Sequence, residues 1–324
     1  MQAQAVALRR IAFGVWVSVV ACGGKPAPVV APAPKPVATV APPAGPPELE
    51  LERALPIQAN ERFEPSGLVW FDGRLLCVSD KEDGAVFELS LSDTEAVPRV
   101  FTTFQAPPAP EATEKLDFEG ISEGADGKLL LVSEAASRVL EVTPGAGAAW
   151  LTPTLADSVR SAGLLQQANA GFEGVVRLSD GRLLLVAERE PRGLVELTAS
   201  DEKLSVSAWR FDGGRFTPKD GRVHDFTDLA LAGSDVYVLE RNAAAVVRLE
   251  RAGNGWAERE GFLFGKTEDD PRFAYADRTY GLAEGLAIDR HRIYVVLDSN
   301  AQGRAADADD VRPMLFVFKR PATP

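Results

Sequence analysis

A motif that returns five times constrains this chain more than any other feature. It reads Ser66-Gly67-Leu68, a turn at Asp72-Gly73, then the apolar run Leu75 to Ser79 closed by Asp80. It returns as Glu119-Gly120-Ile121 with Asp126-Gly127 and Leu129 to Glu134, and as Glu173-Gly174-Val175 with Asp180-Gly181 and Leu183 to Glu188. A fourth copy runs Thr227-Asp228-Leu229, Gly233-Ser234, Val236 to Glu240, and a fifth runs Glu284-Gly285-Leu286, Arg290-His291, Ile293 to Asp298. Gly67, Gly120, Gly174, Asp228 and Gly285 align, at intervals of about 53 to 57 residues, a period that means propeller blades when the unit is short strands.

Each copy reads as four strands. The first opens at the acid-Gly pair, and in copies 1 to 3 an Asp-Gly turn of type I′ follows, since Gly accepts positive φ. The second strand is a near-continuous aliphatic run, suited to burial on both faces between neighbouring blades. A third strand alternates more (Val86 to Leu89, Val139 to Val142, Leu194 to Leu197, Val246 to Leu249, Leu315 to Phe318), and a weaker outer strand comes last. The fifth copy runs out after its third strand. The alternating segment Leu49 to Leu55 is therefore expected to supply the missing outer strand and close the ring, which removes exposed sheet edges. The expected fold is all-β, a five-bladed propeller of four-stranded blades. A six-bladed ring is the alternative and needs one undetected repeat. Three longer connections enter inner strands and are expected on one rim: Ala156 to Ala168, with a short helix, Phe211 to Asp225, and Lys266 to Gly281, which carries Phe273, Tyr275 and Tyr280.

The N-terminus reads as a targeting segment. Arg9 and Arg10 precede an apolar run, Ile11 to Ala21, shorter than the roughly 20 residues a membrane span needs. Val19-Val20-Ala21-Cys22 followed by Gly23-Gly24 resembles a bacterial lipobox, which implies cleavage before Cys22 and lipidation of its thiol. The Pro/Ala/Val-rich stretch that follows lacks the donors and the freedom to fold and reads as an extended tether. The chain thus divides into a leader (1–21), a lipidated Cys22 with its tether (22–47) and a propeller domain (48–324). The expected location is the bacterial cell envelope, on the periplasmic side or outer surface, with outer-membrane sorting favoured by Gly23. Cys77 is the one other cysteine, sits in an apolar run, and is expected to be a buried small hydrophobe.

The formal net charge is −12, which argues against nucleic-acid binding and suits a cation. The repeat lays its acids in two sets. One stands at the start of the inner strand: Glu119, Glu173 and Glu284, with Asp228 in copy 4 and Ser66 in copy 1. The other ends the second strand: Asp80, Glu134, Glu188, Glu240 and Asp298. Carboxylates ringing one mouth repel unless a cation intervenes, and Ca²⁺ takes about 6 to 8 hard oxygen ligands. The first set is the expected metal site. The competing reading makes these acids blade-to-blade clamps, paired with backbone N–H groups or with Arg138, Arg189, Arg192 and Arg241.

Asp117-Phe118-Glu119-Gly120, Gly171-Phe172-Glu173-Gly174 and Ala283-Glu284-Gly285-Leu286, each leading to a strand that ends in an acid, resemble the SdiA-regulated and phytase-like ("esterase-like activity of phytase") β-propeller families. Asn169 to Gly174 is similar to the former, and Asp298-Ser299-Asn300 to a closing motif of the latter. The resemblance spans Glu64 to Phe318 and implies an envelope propeller with calcium binding. Asp307-Ala308-Asp309-Asp310 only faintly resembles the Asp-rich signature of calcium-dependent phytases and reads as a solvated turn. Gly120-Ile121-Ser122-Glu123-Gly124 matches Gly-x-Ser-x-Gly, but that motif needs a strand-to-helix turn, and the repeat puts Ser122 inside a strand. Of the two histidines, His291 falls in a hairpin turn and His224 at the entry to copy 4, on the long-loop rim.

Two functions are open at this point. One is a monomeric, lipid-anchored binding protein that takes Ca²⁺ and a small ligand or an envelope protein at the loop-rich rim. The other is a calcium-dependent phosphoester or ester hydrolase, with Ca²⁺ on Glu119, Glu173 and Glu284 activating a water, and Arg222 or Lys219 near His224 meeting substrate charge.

Overall fold

The computed structural model of the protein describes residues 45–59, 62–112, 114–199, 203–276 and 281–321. The residues expected to form the leader, Cys22, most of the stretch expected to be a tether, and Tyr280 lie outside the described residues. Five four-stranded antiparallel sheets form the ring. After the first strand, β1 (Leu51–Pro56), blade 1 is β2 (Pro65–Phe71), β3 (Arg74–Ser79), β4 (Ala85–Leu91) and β5 (Ala96–Thr103). Blade 2 is β6 (Phe118–Glu123), β7 (Leu129–Ser133), β8 (Arg138–Thr143) and β9 (Gly147–Trp150). A six-residue helix α1 (Ala156–Ser161) leads to blade 3: β10 (Phe172–Arg177), β11 (Leu183–Ala187), β12 (Gly193–Ala199) and β13 (Leu204–Arg210). Blade 4 is β14 (Asp228–Ala232), β15 (Asp235–Glu240), β16 (Ala245–Ala252) and β17 (Gly255–Leu263). The short helix α2 (Gly265–Glu268) precedes blade 5, which has β18 (Ala283–Ile288), β19 (Arg292–Leu297) and β20 (Met314–Lys319).

β1 completes blade 5 by pairing antiparallel with β20, Leu55 opposite Leu315 and Leu51 opposite Phe318. The sequence expectation of five blades closed by the N-terminal strand is met. Docking begins before β1, since Leu263 N–H donates to the Pro47 carbonyl and Leu49 N–H to that of Leu263, at 2.9 and 2.7 Å. Pro47 to Leu49 therefore already lie along blade 4.

The second strand of every blade is buried nearly throughout, because it faces a neighbouring blade on each side. The core is divided accordingly into five apolar clusters, one in each gap between blades. Burial holds the Cys77 thiol well above its ordinary pKa, consistent with an inert core residue. The type I′ turn appears in blades 1 and 2, where Asp72, Gly73, Asp126 and Gly127 all have positive φ. In blade 3 only Gly181 does, and the loop closes with Gly181 N–H donating to the Leu178 carbonyl, a longer connection than Asp180-Gly181 suggests. Among the described residues, no helix is long and apolar enough to cross a membrane.

The inner strands meet at the aligned glycines. A Cβ on Gly120 would lie 2.5 Å from the Glu173 carbonyl and 2.7 Å from Gly174 Cα, so only glycine allows that approach. Gly67, Gly174 and Gly285 are similarly crowded.

Candidate functional site: an acidic cavity above a closed channel

Glu119, Glu173 and Glu284 each occupy the second position of their inner strand, beside the glycine at which the strands converge. This places all three in one cavity of about 270 Å³ at one end of the ring. Asp80, Glu134, Glu188 and Asp298, just past the ends of their second strands, reach the same cavity, as does Glu64. Arg189 and Arg241 are its cations, and Asn169 and Asn300 add amides.

The two acid sets differ in how they are used. Glu134 Oε1 accepts the N–H of Gly171 on the next blade at 3.0 Å. Glu188 accepts from Arg241 Nη2 at 2.7 Å and pairs with Arg189. Asp298 accepts the Asn300 N–H at 3.0 Å. Glu134 and Glu188 thus reach across to the next blade, whereas Asp298 bonds within its own loop and Asp80 pairs with Lys81 at 2.5 Å. In the first set, Glu284 takes both oxygens to Arg241 Nη1, at 2.6 and 2.9 Å. Glu119 and Glu173 differ from it: neither makes a hydrogen bond or ion pair with any described residue, although Glu173 is only 7% exposed. Burial first, and then neighbouring carboxylates, hold both well above the usual carboxylate range. Burial also pushes Asp298 up to about 8.

Arg241 is engaged by Asp225, Glu188 and Glu284 together and neutralises one side of the cavity. On the other side, Asp80, Asp117 and Glu119 each offer an oxygen within 4.8 Å of the others. Asp117 opens one of the family motifs but was given no ligand role from the sequence, although its column, three residues before the aligned glycine, also carries Glu64 and Asp225. Its backbone sits at φ +57°, and the Asp83 carboxylate holds it there by accepting the Leu116 and Asp117 N–H groups at 2.6 and 3.1 Å. Lys81 Nζ stands 2.5 Å from Asp80 and Lys115 Nζ 2.6 Å from Asp117, so the three carboxylates of these two blades suit a hard divalent cation only if it competes with those lysines.

Asp228 and Glu240 do not belong to this cavity. Asp228 stands in the glycine column of the repeat, one position past the acids, and is fully buried at the centre of the ring. Its Oδ2 accepts the Leu286 and Leu68 N–H groups at 2.7 and 3.3 Å, and Oδ1 accepts its neighbour Leu229 at 2.7 Å. It thus pins three inner strands and closes the channel. Desolvation raises its pKa well above the ordinary value, against the pull of those three N–H groups. Glu240 lies between blades 3 and 4. It pairs with buried Arg192, accepts the Asp225 N–H at 3.0 Å and stands 3.4 Å from His224 Nδ1.

The cations assigned to a substrate from sequence are elsewhere too. Lys219 Nζ is 2.7 Å from Glu268 and 3.1 Å from Asp269, and with Arg222 it borders a separate small depression. Asp310, in the Asp307 to Asp310 turn, is clamped by Arg312 and Arg304, which hold its carboxyl down to about 2. Ser122 lies in β6 opposite Leu130, with no helix after it.

The fold and the site define an acid-mouthed five-bladed propeller with a closed channel. The chain belongs to the Phytase-like family, described as esterase-like activity of phytase, which matches residues 64–320. No curated protein matches it. Among solved structures it is similar to Myxococcus xanthus glutaminyl cyclase (12% identity, TM-score 0.48, 85% of this chain and 100% of that one). It is also similar to XC5397 of Xanthomonas campestris, a gluconolactonase (12%, 0.45, 87% of each chain). A third is the PQQ-bound aldose sugar dehydrogenase of Streptomyces coelicolor (13%, 0.44, 85% and 100%). At these values nothing of their chemistry passes to this chain.

Proposed function

We propose that the acidic cavity is a divalent-cation site, with Ca²⁺ the cation its all-oxygen donors suit, and that the protein is a cell-envelope binding propeller held to a membrane by lipid on Cys22. The carrying observation is that Glu119 and Glu173 face the cavity with no hydrogen-bond or ion-pair partner among the described residues. A carboxylate crowded by others in such a cavity is relieved by a cation, by a proton or by bound water, and the cation relieves its neighbours as well. Asp80, Asp117 and Glu119 would hold the ion, with Glu173 facing the same space. The ligand of the filled site would be a small molecule or an envelope protein meeting the long loops of that rim.

Family membership favours a second reading, calcium-dependent ester or phosphoester hydrolysis. Bound Ca²⁺ would supply Lewis acidity there. Against it, Arg189 and Arg241 are the cavity's cations, and Arg241 is already committed to three carboxylates.

The test is a melting curve of the full chain in EDTA and in millimolar Ca²⁺. A cation at about 100 times its dissociation constant adds about 2.7 kcal/mol, a rise of several degrees. Absence of a rise would remove the cation from this reading.

A further inference from the structure

On the far side of the Asp228 plug the channel opens again as a second cavity, of about 90 Å³. All five inner strands line it. The three residues whose N–H groups bond Asp228, Leu68, Leu229 and Leu286, border it, so Asp228 is the partition between the two ends. The next position along each inner strand forms its wall: Val69, Ser122, Val176, Ala230 and Ala287. Four are aliphatic. The fifth, Ser122, is 5% exposed, and its Oγ has no hydrogen-bond partner among the described residues.

A buried hydroxyl without a partner costs about 1–3 kcal/mol and calls for an occupant that bonds it. Apart from exposed Glu123, the rest of the wall is apolar, the pattern of small-ligand pockets, where few polar groups set orientation. Liquid water takes about 30 Å³ per molecule, so the space admits about three to five heavy atoms.

We propose that this far mouth binds a small neutral molecule, an alcohol or ketone with a short apolar body, oriented by a hydrogen bond to Ser122 Oγ. The site is independent of the cation cavity, because the buried Asp228 carboxylate and the glycine contacts separate them.

The test is saturation-transfer NMR on the full chain with 1-propanol and acetone as probes and glycerol as the polar control. Saturable binding of the first two in the millimolar range is expected, unchanged by EDTA. Ser122→Ala keeps the space and removes the hydroxyl, and weakens binding about two- to tenfold. Ser122→Val fills the space with the residue that blades 1 and 3 already carry there, so the fold is preserved, as circular dichroism will verify, and binding is lost. Saturable binding unchanged in folded Ser122→Val, or none in the wild-type protein, overturns the proposal, the latter leaving the hydroxyl to water.

Discussion

Asp228 Oδ2 accepts the Leu286 N–H at 2.7 Å, which ties the inner strand of blade 4 to that of blade 5 at the point where the other blades place glycine. Asp228→Ala would leave three buried N–H groups without this acceptor. At about 1–3 kcal/mol each, a loss of about 3–5 kcal/mol is expected in urea unfolding, since some relaxation offsets the sum. Asp228→Asn keeps one oxygen and should lose about half as much. Both variants should keep the calcium response.

Glu119→Gln and Glu173→Gln should act in opposite directions with and without calcium. In EDTA, at a pH high enough to ionise the carboxyl, each removes a charge repelled by its neighbours, worth about 1 kcal/mol at effective protein dielectrics, or about 2–4 °C upward in melting temperature. In Ca²⁺ each removes a donor, so the calcium-induced rise should shrink to a small fraction of the wild-type value. Scanning calorimetry in both buffers reads the two effects. An unchanged calcium response in the Glu119→Gln/Glu173→Gln double variant would sink the cation-site reading.

Stability should depend on pH in a calcium-sensitive way. Glu119, Glu173 and Asp298 have folded-state pKa values raised above their unfolded ones, chiefly by burial. The folded chain therefore binds more protons than the unfolded chain between about pH 4 and the folded values, and stability in EDTA falls as pH rises through that window. For Asp298 the window reaches about 8. Asp310 acts in the reverse sense, its contribution being lost as pH falls from about 4 toward 2. Calcium should flatten the neutral part of the profile, and its affinity should rise with pH. Urea unfolding from about pH 2 to 9, with and without Ca²⁺, measures this.

Gly120→Ala should be among the most damaging single-methyl additions. Its Cβ would strike backbone atoms of blade 3, which cannot move aside as a side chain can. A loss of about 2–3 kcal/mol or more is expected, against a near-neutral effect at the exposed tether glycine Gly45, where a Cβ meets nothing within 4 Å.

Cys22→Ala should move the protein from the detergent phase to the aqueous phase on Triton X-114 partition of cells making it. Retention in the detergent phase would remove the lipid anchor from the proposal.

The blades were legible because each one must bury both faces of its second strand and return by short turns, which writes the same apolar run five times. The acid cavity was legible through the same period. What it hid follows from the ring closing in space. Arg241 follows Glu240 in the chain, yet its three partners come from different blades and loops. Asp117 shares a column with Glu64 and Asp225 that the two-set reading passed over, and its part in the cluster depends on Asp83 turning the backbone. Asp228 was grouped by its chemistry with Glu119 and Glu173, while its alignment with Gly67, Gly120, Gly174 and Gly285 already placed it one residue deeper. Glu240 shares the column of Asp80 and Asp298, but the Phe211 to Asp225 connection brings His224 against it, and Arg192 of blade 3 completes its enclosure.

The pairing of β1 with β20 also sets an order of events at birth. β1 leaves the ribosome before any complete blade and waits about 260 residues for its partner, roughly ten to fifty seconds at ordinary rates of synthesis. Through that interval it is an unpaired edge strand, the kind of segment that recruits other chains. Blades 1 to 4 can each form from their own residues as they emerge, so the slow and aggregation-exposed step is the last one, when the two ends of the domain find each other.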